Sequence, residues 1–300
     1  MLSRSLIFPS FADFWQLGKP RVVALIVFCA AVGCLLAAPA AADWPRLLLA
    51  LSGIGFVAMG AAAANCLFER DRDAVMRRTA ARPLVRGRIG HVEAAGYAVA
   101  LTVAGLWLLL LFANALTTAL TLATFFGYAV VYTRWLKPAT PQNIVIGGAA
   151  GAMPPVLGWA AVSGTIPAEA AVLFLIIYTW TPPHFWALAL YRRDDYARAG
   201  LPMLPVTHGP AFTRLAILLY ALMLAAVALL PFAIRLSGWF YLAAALWLNA
   251  SFIRRTWRLY RSDEAESDAQ ARGLFRFSIA YLSWLFGALL ADRLLQWLTA

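Results

Sequence analysis

Charge is what this chain has least of. Only 13% of its 300 residues are Asp, Glu, Lys or Arg, and acids are the scarcer sign, 14 against 25 Lys and Arg. Soluble domains are about a quarter charged, so a separate aqueous domain is not expected anywhere along this chain. Cysteine is as sparse. Cys29, Cys34 and Cys66 form no CxxC pair, which removes a zinc site and a disulfide framework from consideration. No internal repeat is visible.

What fills the chain instead is apolar sequence, 63% of it, in long uninterrupted runs. A bilayer core about 30 Å thick needs roughly 20 such residues per helix. The runs predict nine spans, at about 22–42, 46–66, 92–112, 115–133, 143–162, 167–190, 212–233, 237–253 and 274–297, in an all-α bundle forming one domain over 1–300. The first span follows a polar leader and has no convincing small-residue cleavage site, so it is expected to stay in the mature protein.

If the N-terminus lies inside, every Lys and Arg except Arg46, Arg235 and Arg293 falls on the inner side, as the bias of cytoplasmic loops requires. Nine spans then put the C-terminus outside. The net charge of +11 follows from this topology and calls for no nucleic acid.

Topology does not explain how the charges are arranged. After the second span come Asn65, Glu69 and Asp73, four residues apart, so on a helix their oxygens form one stripe. Such a stripe suits Mg²⁺, a hard cation that takes carboxylate and amide oxygens and shares its shell with phosphates. Arg77, Arg78, Arg82, Arg86 and Arg88 follow closely, and guanidinium forks beside metal-binding acids suggest a polyanionic phosphate. The alternative is a solvated loop in which acids neutralise arginines, but carboxylates at the membrane end of a helix are costly without a function.

Two further inner stretches are dense in polar and helix-breaking residues. "YTRWLKPATPQNIVIGGAAGAMPPVLGW" (132–159) places Tyr132, Arg134 and Lys137 at the end of span four and Asn143 at the start of span five. Its glycines permit close helix approach, and Pro154 and Pro155 are expected to break the span beside a cavity. "WTPPHFWALALYRRDDYARAGLPMLPV" (180–206) holds His184 among Trp180, Phe185 and Trp186, then Arg192, Arg193, Asp194, Asp195 and Tyr196. An intramembrane His is a functional candidate or else a hydrogen bond to a neighbouring helix. The run Asp263, Glu264, Glu266, Asp268 reads as a solvated connector.

The N-x-x-x-E-x-x-x-D ladder followed by "MRRTAARPL" (76–84) resembles the first motif of the intramembrane aromatic prenyltransferase (UbiA-type) superfamily. Glu69 stands where the common motif has Asp. "KPRV" (19–22) and the two inner stretches are similar to the branch that makes haem O, and they lack the second D-x-x-x-D of the benzoate-prenylating relatives; Arg192 and Tyr196 occupy those positions.

The resemblance implies a Mg²⁺-dependent enzyme of a bacterial inner membrane. Its reaction would join farnesyl diphosphate to a vinyl group of haem b with addition of water. It further implies that Asn65, Glu69, Asp73, Asp194 and Asp195 hold Mg²⁺, and that Arg78, Arg82, Arg134 and Lys137 meet the diphosphate. Tyr132, Trp180, Asn143, Arg192 and Tyr196 would line the substrates. His184 would ligate iron or orient a propionate. A haem A synthase or terminal oxidase assembly is the implied downstream partner. A prenyltransferase for 4-hydroxybenzoate, and a polytopic transporter, are the competing readings; a transporter would spread its polar groups over both membrane faces.

Overall fold

The structure, a computed structural model, describes residues 9–38 and 42–299. Arg4 of the leader and positions 39–41 of the first predicted span lie outside the described residues. The described residues form helices and no strand. A short helix, Phe11–Leu17, capped by Ser10 and Asp13, leads into α1 (Pro20–Ala37). Then come α2 (Trp44–Val75), α3 (His91–Phe112), α4 (Ala115–Ala139), α5 (Asn143–Ser163), α6 (Ala168–Tyr191), α7 (Gly209–Ala233), α8 (Trp239–Arg261) and α9 (Glu264–Thr299).

Among the described residues, all of these except α8 are long and apolar enough to cross a bilayer. α8 answers to the eighth predicted span and is 23 residues long, but Arg254, Arg255, Arg258 and Arg261 occupy its second half. Lipid-facing positions carry large apolar side chains, among them Trp107 at 62% and Trp284 at 69% exposure.

Three elements differ from the sequence reading. Helix α2 runs past the expected end of its span at 66 to Val75 and carries the Asn65, Glu69, Asp73 stripe in helical form as expected, because nothing in "CLFERDRDAV" breaks a helix; Met76 then turns extended. Helix α9 starts at Glu264, so most of the acidic run expected as a connector is its first two turns, with Asp263 Oδ1 accepting from the Glu266 amide at 2.9 Å. Within α4, residues Gly127–Leu136 form a π-helix, which apolar periodicity does not signal.

The expected break in α5 occurs at Met153, between Asn143–Ala152 and Pro154–Ser163. There α1 and α5 touch backbone to backbone. A Cβ added at Gly158 would sit 1.8 Å from the Ala30 carbonyl oxygen, and one at Gly33 would sit 2.1 Å from that of Pro155. Cys34 Sγ donates to the Gly158 carbonyl at 3.1 Å across the same seam. In a membrane, where lipid is as apolar as leucine, such close packing is what holds helices together. Gly158→Val should therefore cost about 1–3 kcal/mol by overpacking, measured as a lower thermal unfolding midpoint in detergent.

The main core lies among α6, α7, α8 and α9 around fully buried Tyr241, Phe252, Tyr281 and Phe286. Its two buried phenols are paired: Tyr241 donates to the Ala228 carbonyl at 2.7 Å and Tyr281 to Asn249 Oδ1 at 2.6 Å.

Candidate functional site

Asn65, Glu69 and Asp73 lie on the last turns of α2 and are 2%, 5% and 3% exposed. Steps of four residues on a 3.6-residue helix keep them on one face. Buried carboxylates persist only when partnered, and each rung has a cation from a different segment. Lys19 Nζ donates to Asn65 Oδ1 at 2.5 Å, Lys137 pairs with Glu69, and Arg82 pairs with Asp73. Leader, loop and α4 thus converge on one helix face.

The π-helix explains how α4 reaches the ladder. Its wider turn lets Thr133 Oγ1 donate to the Tyr128 carbonyl five residues back, at 2.8 Å, while accepting from Asn65 Nδ2 at 3.0 Å. Tyr128 and Tyr132 stack with centroids 5.8 Å apart. Opposite them, a Cβ at Gly147 would lie 2.2 Å from the Tyr132 ring, so α5 must carry glycine there. Long π segments are rare and occur often at functional sites.

Lys19 caps α1 in a left-handed conformation, φ 51° and ψ 57°, which for a lysine is strained. Burial opposes its charge, but Tyr128, Cys66 and Glu69 outweigh that and hold its pKa above the usual lysine value. Arg82 behaves the same way: burial works against the guanidinium, and Cys66, Asp73 and Glu69 more than compensate.

The loop after α6 reaches this cluster through Tyr196, which is 5% exposed on the short helix Arg193–Arg198. Burial pushes its phenol up, and the facing Arg78 opposes the shift. Asp195 is buried and pairs with Arg198 and, at 3.5 Å, with Arg192. Asp194 points away: its side chain is 84% exposed and 3.9 Å from Arg193.

Other candidates stand apart from the ladder's contacts. Arg134 is exposed, over the ring of Phe68 at 5.5 Å. Asn143 is buried, donates to the Thr140 carbonyl at 2.5 Å, and leaves Oδ1 without a partner. His184 is stacked between Trp180 and Phe275, at 4.3 and 4.6 Å, with Nδ1 2.6 Å from Ser278 Oγ. Trp180 Nε1 donates to the Ser278 carbonyl at 2.8 Å. Both rings therefore tie α6 to α9, as an interhelical hydrogen bond does.

The model of the UbiA prenyltransferase family matches residues 26–280. The chain belongs to the UbiA prenyltransferase family. A UbiA relative named protoheme IX farnesyltransferase, from Azoarcus sp. (strain BH72), is 62% identical over 284 residues, covering 94% of both chains. Among solved UbiA-like folds, a structure of digeranylgeranylglyceryl phosphate synthase aligns with TM-score 0.76 at 17% identity, covering 94% of this chain and 98% of that one. A UbiA homologue from Archaeoglobus fulgidus, bound to GPP and Mg²⁺, aligns with TM-score 0.64 at 18% identity, covering 92% and 99%.

Sequence reasoning did not assign this UbiA site Lys19, Tyr128 or Thr133. Only Lys19 left a trace, as a lone lysine before the Pro that opens the first span. Tyr128 and Thr133 enter through the π register.

Proposed function

We propose that the chain transfers the farnesyl group of farnesyl diphosphate to a vinyl group of haem b, with addition of water, giving haem O and diphosphate. The observation that carries the reading is the ladder itself. Asn65, Glu69 and Asp73 are buried together and face Lys19, Arg82 and Lys137. Kinship with protoheme IX farnesyltransferases selects haem as the acceptor.

The donor set fits Mg²⁺. Two carboxylates and an amide oxygen, already the seat of three side-chain cations, are the ligands this ion takes alongside substrate phosphates. Asn65, Glu69 and Asp73 would hold it. When bound, the ion supplies positive charge to the diphosphate leaving group.

The remaining chemistry belongs to the chain. Departure of diphosphate is helped by guanidinium and ammonium groups fixed beforehand; Arg82, Lys137 and Lys19 turn from the ladder toward its oxygens, and Arg78 turns from Tyr196. On the second loop Asp195 pairs with Arg192 and Arg198, which makes it the acid there with a buried position from which to act. The stacked Tyr128 and Tyr132 present π faces beside the site, suited to a developing allylic cation. The farnesyl tail lies among the apolar helices, where water is excluded.

In this reading the whole chain is one domain of nine passes with the ladder at the cytoplasmic face of a bacterial inner membrane and the C-terminus outside. The basic loops and the gathering of polar chemistry at one end support it; a transporter would need polar groups at both faces. The product is released for a haem A synthase or the terminal oxidase assembly.

Purified protein incubated with haem b, farnesyl diphosphate and Mg²⁺ should yield the hydroxyethylfarnesyl product by mass spectrometry. Chelation by EDTA should abolish it and added Mg²⁺ restore it. Product with 4-hydroxybenzoate and none with haem b would overturn the acceptor.

A further inference from the structure

Beside the ladder, and separate from it, a cleft of about 350 Å³ opens between the loop after α2, the end of α6 and the starts of α7 and α9. Arg77, Arg192, Arg198 and Arg214 project into it around Tyr191. We infer that this cleft receives the two propionate carboxylates of the haem acceptor, an inference that rests on the haem reading above.

The first support is unfilled donor capacity. Asp195, buried at the cleft wall, engages Arg198 and Arg192, yet Nε of Arg192 remains buried without a partner. Arg214 is aimed by a hydrogen bond from Nη1 to the Ser262 carbonyl at 2.8 Å, and its Nε is also buried and unpartnered. Arg77 is exposed and takes part in no ion pair among the described residues. Planar guanidinium forks match carboxylates in a bidentate manner.

The second support is charge. The cleft is lined by five arginines, the fifth being Arg193, and by Asp194, Asp195, Glu264 and Asp268. That near balance disfavours a polyanion such as diphosphate. It suits two singly charged carboxylates on an otherwise apolar molecule.

The third is shape and place. Tyr191 lies under Arg192 and Arg272, at 5.6 and 5.2 Å, and edge-on to Phe275, so the guanidinium groups rise from an aromatic wall. Haem b is a flat macrocycle with vinyl groups on one side and propionates on the other. Arg77, in the cleft, is followed directly by Arg78, which faces Tyr196 at the ladder cluster. Carboxylates anchored in the cleft leave the vinyl edge to point toward the ladder.

The test compares haem b with its dimethyl ester, which keeps the macrocycle and removes both charges, by titrating each into the purified full-length protein and following the Soret band. The wild type should bind haem b roughly ten-fold or more tightly than the ester, as charged hydrogen bonds would give. Arg77→Gln and Arg214→Gln should each weaken haem b and leave the ester unchanged, drawing the ratio toward one. Binding of Mn²⁺ with inorganic pyrophosphate should not change in Arg214→Gln, which reports that the ladder is intact. Equal binding of the two porphyrins by the wild type, or a preference that survives both replacements, overturns the cleft assignment while leaving the haem reaction standing. Failure of both porphyrins to bind, with Mn²⁺ and pyrophosphate still bound, overturns the haem acceptor as well.

Discussion

Glu69→Gln is expected to abolish product formation while haem b binds almost as before. The substitution keeps the shape of the side chain, so α2 and its packing persist; what it removes is one of two carboxylates in the ladder and the counter-charge to Lys137. Losing a fixed electrostatic element at a site where charge develops costs about a hundred- to a thousand-fold in turnover, and the loss of a proposed metal ligand adds to it. Single-turnover assay by mass, beside a Soret titration for haem, separates the two readouts. Full activity in this variant would remove Glu69 from the metal site.

Lys137→Met is the second large effect, and its signature lies in a comparison. Glu69 is buried, and without Lys137 it loses its ion-pair partner and keeps only the weaker influence of Lys19 and Arg82, a change whose cost approaches the roughly 3–5 kcal/mol of a broken buried pair. Thermal unfolding in detergent should show a clear fall. The double variant Glu69→Gln with Lys137→Met exchanges a buried ion pair for neutral groups and should regain most of that stability. It should regain none of the activity, because neither the proposed metal ligand nor the proposed diphosphate contact returns. A double variant as unstable as Lys137→Met alone would mean that the two side chains are not coupled.

The helical class and the placement of most helices could be read directly, because a bilayer demands long apolar runs and the chain has little else. The ladder was legible too: polar oxygens at four-residue spacing on a helix entering the membrane need a reason to exist. Its partners were less so. Lys137 and Arg82 stood out as cations nearby, but which carboxylate each meets depends on packing between α2, the loop and α4. Lys19 stayed unassigned because its reach rests on a left-handed backbone turn that no pattern announces. Asp194 and Asp195 look alike in sequence, and only the short helix Arg193–Arg198 turns one inward and the other to solvent. His184 and Trp180 stand out as rare groups in an apolar span; their partner Ser278, which meets His184 Nδ1 and Trp180 Nε1, lies nearly a hundred positions away and could not be read from the sequence.

The π-helix at Gly127–Leu136 should make this enzyme more sensitive to length than to composition. Every residue in an α-helix turns the chain by about 100°. Deleting a single residue within this segment, and so letting it relax to α-helical form, would swing Lys137 away from Glu69 and uncouple Thr133 from Asn65. Substitutions on its outer face, at Val131 or Trp135, leave that alignment untouched. Along this part of the chain, descent with modification can proceed by exchange of side chains but scarcely by gain or loss of one.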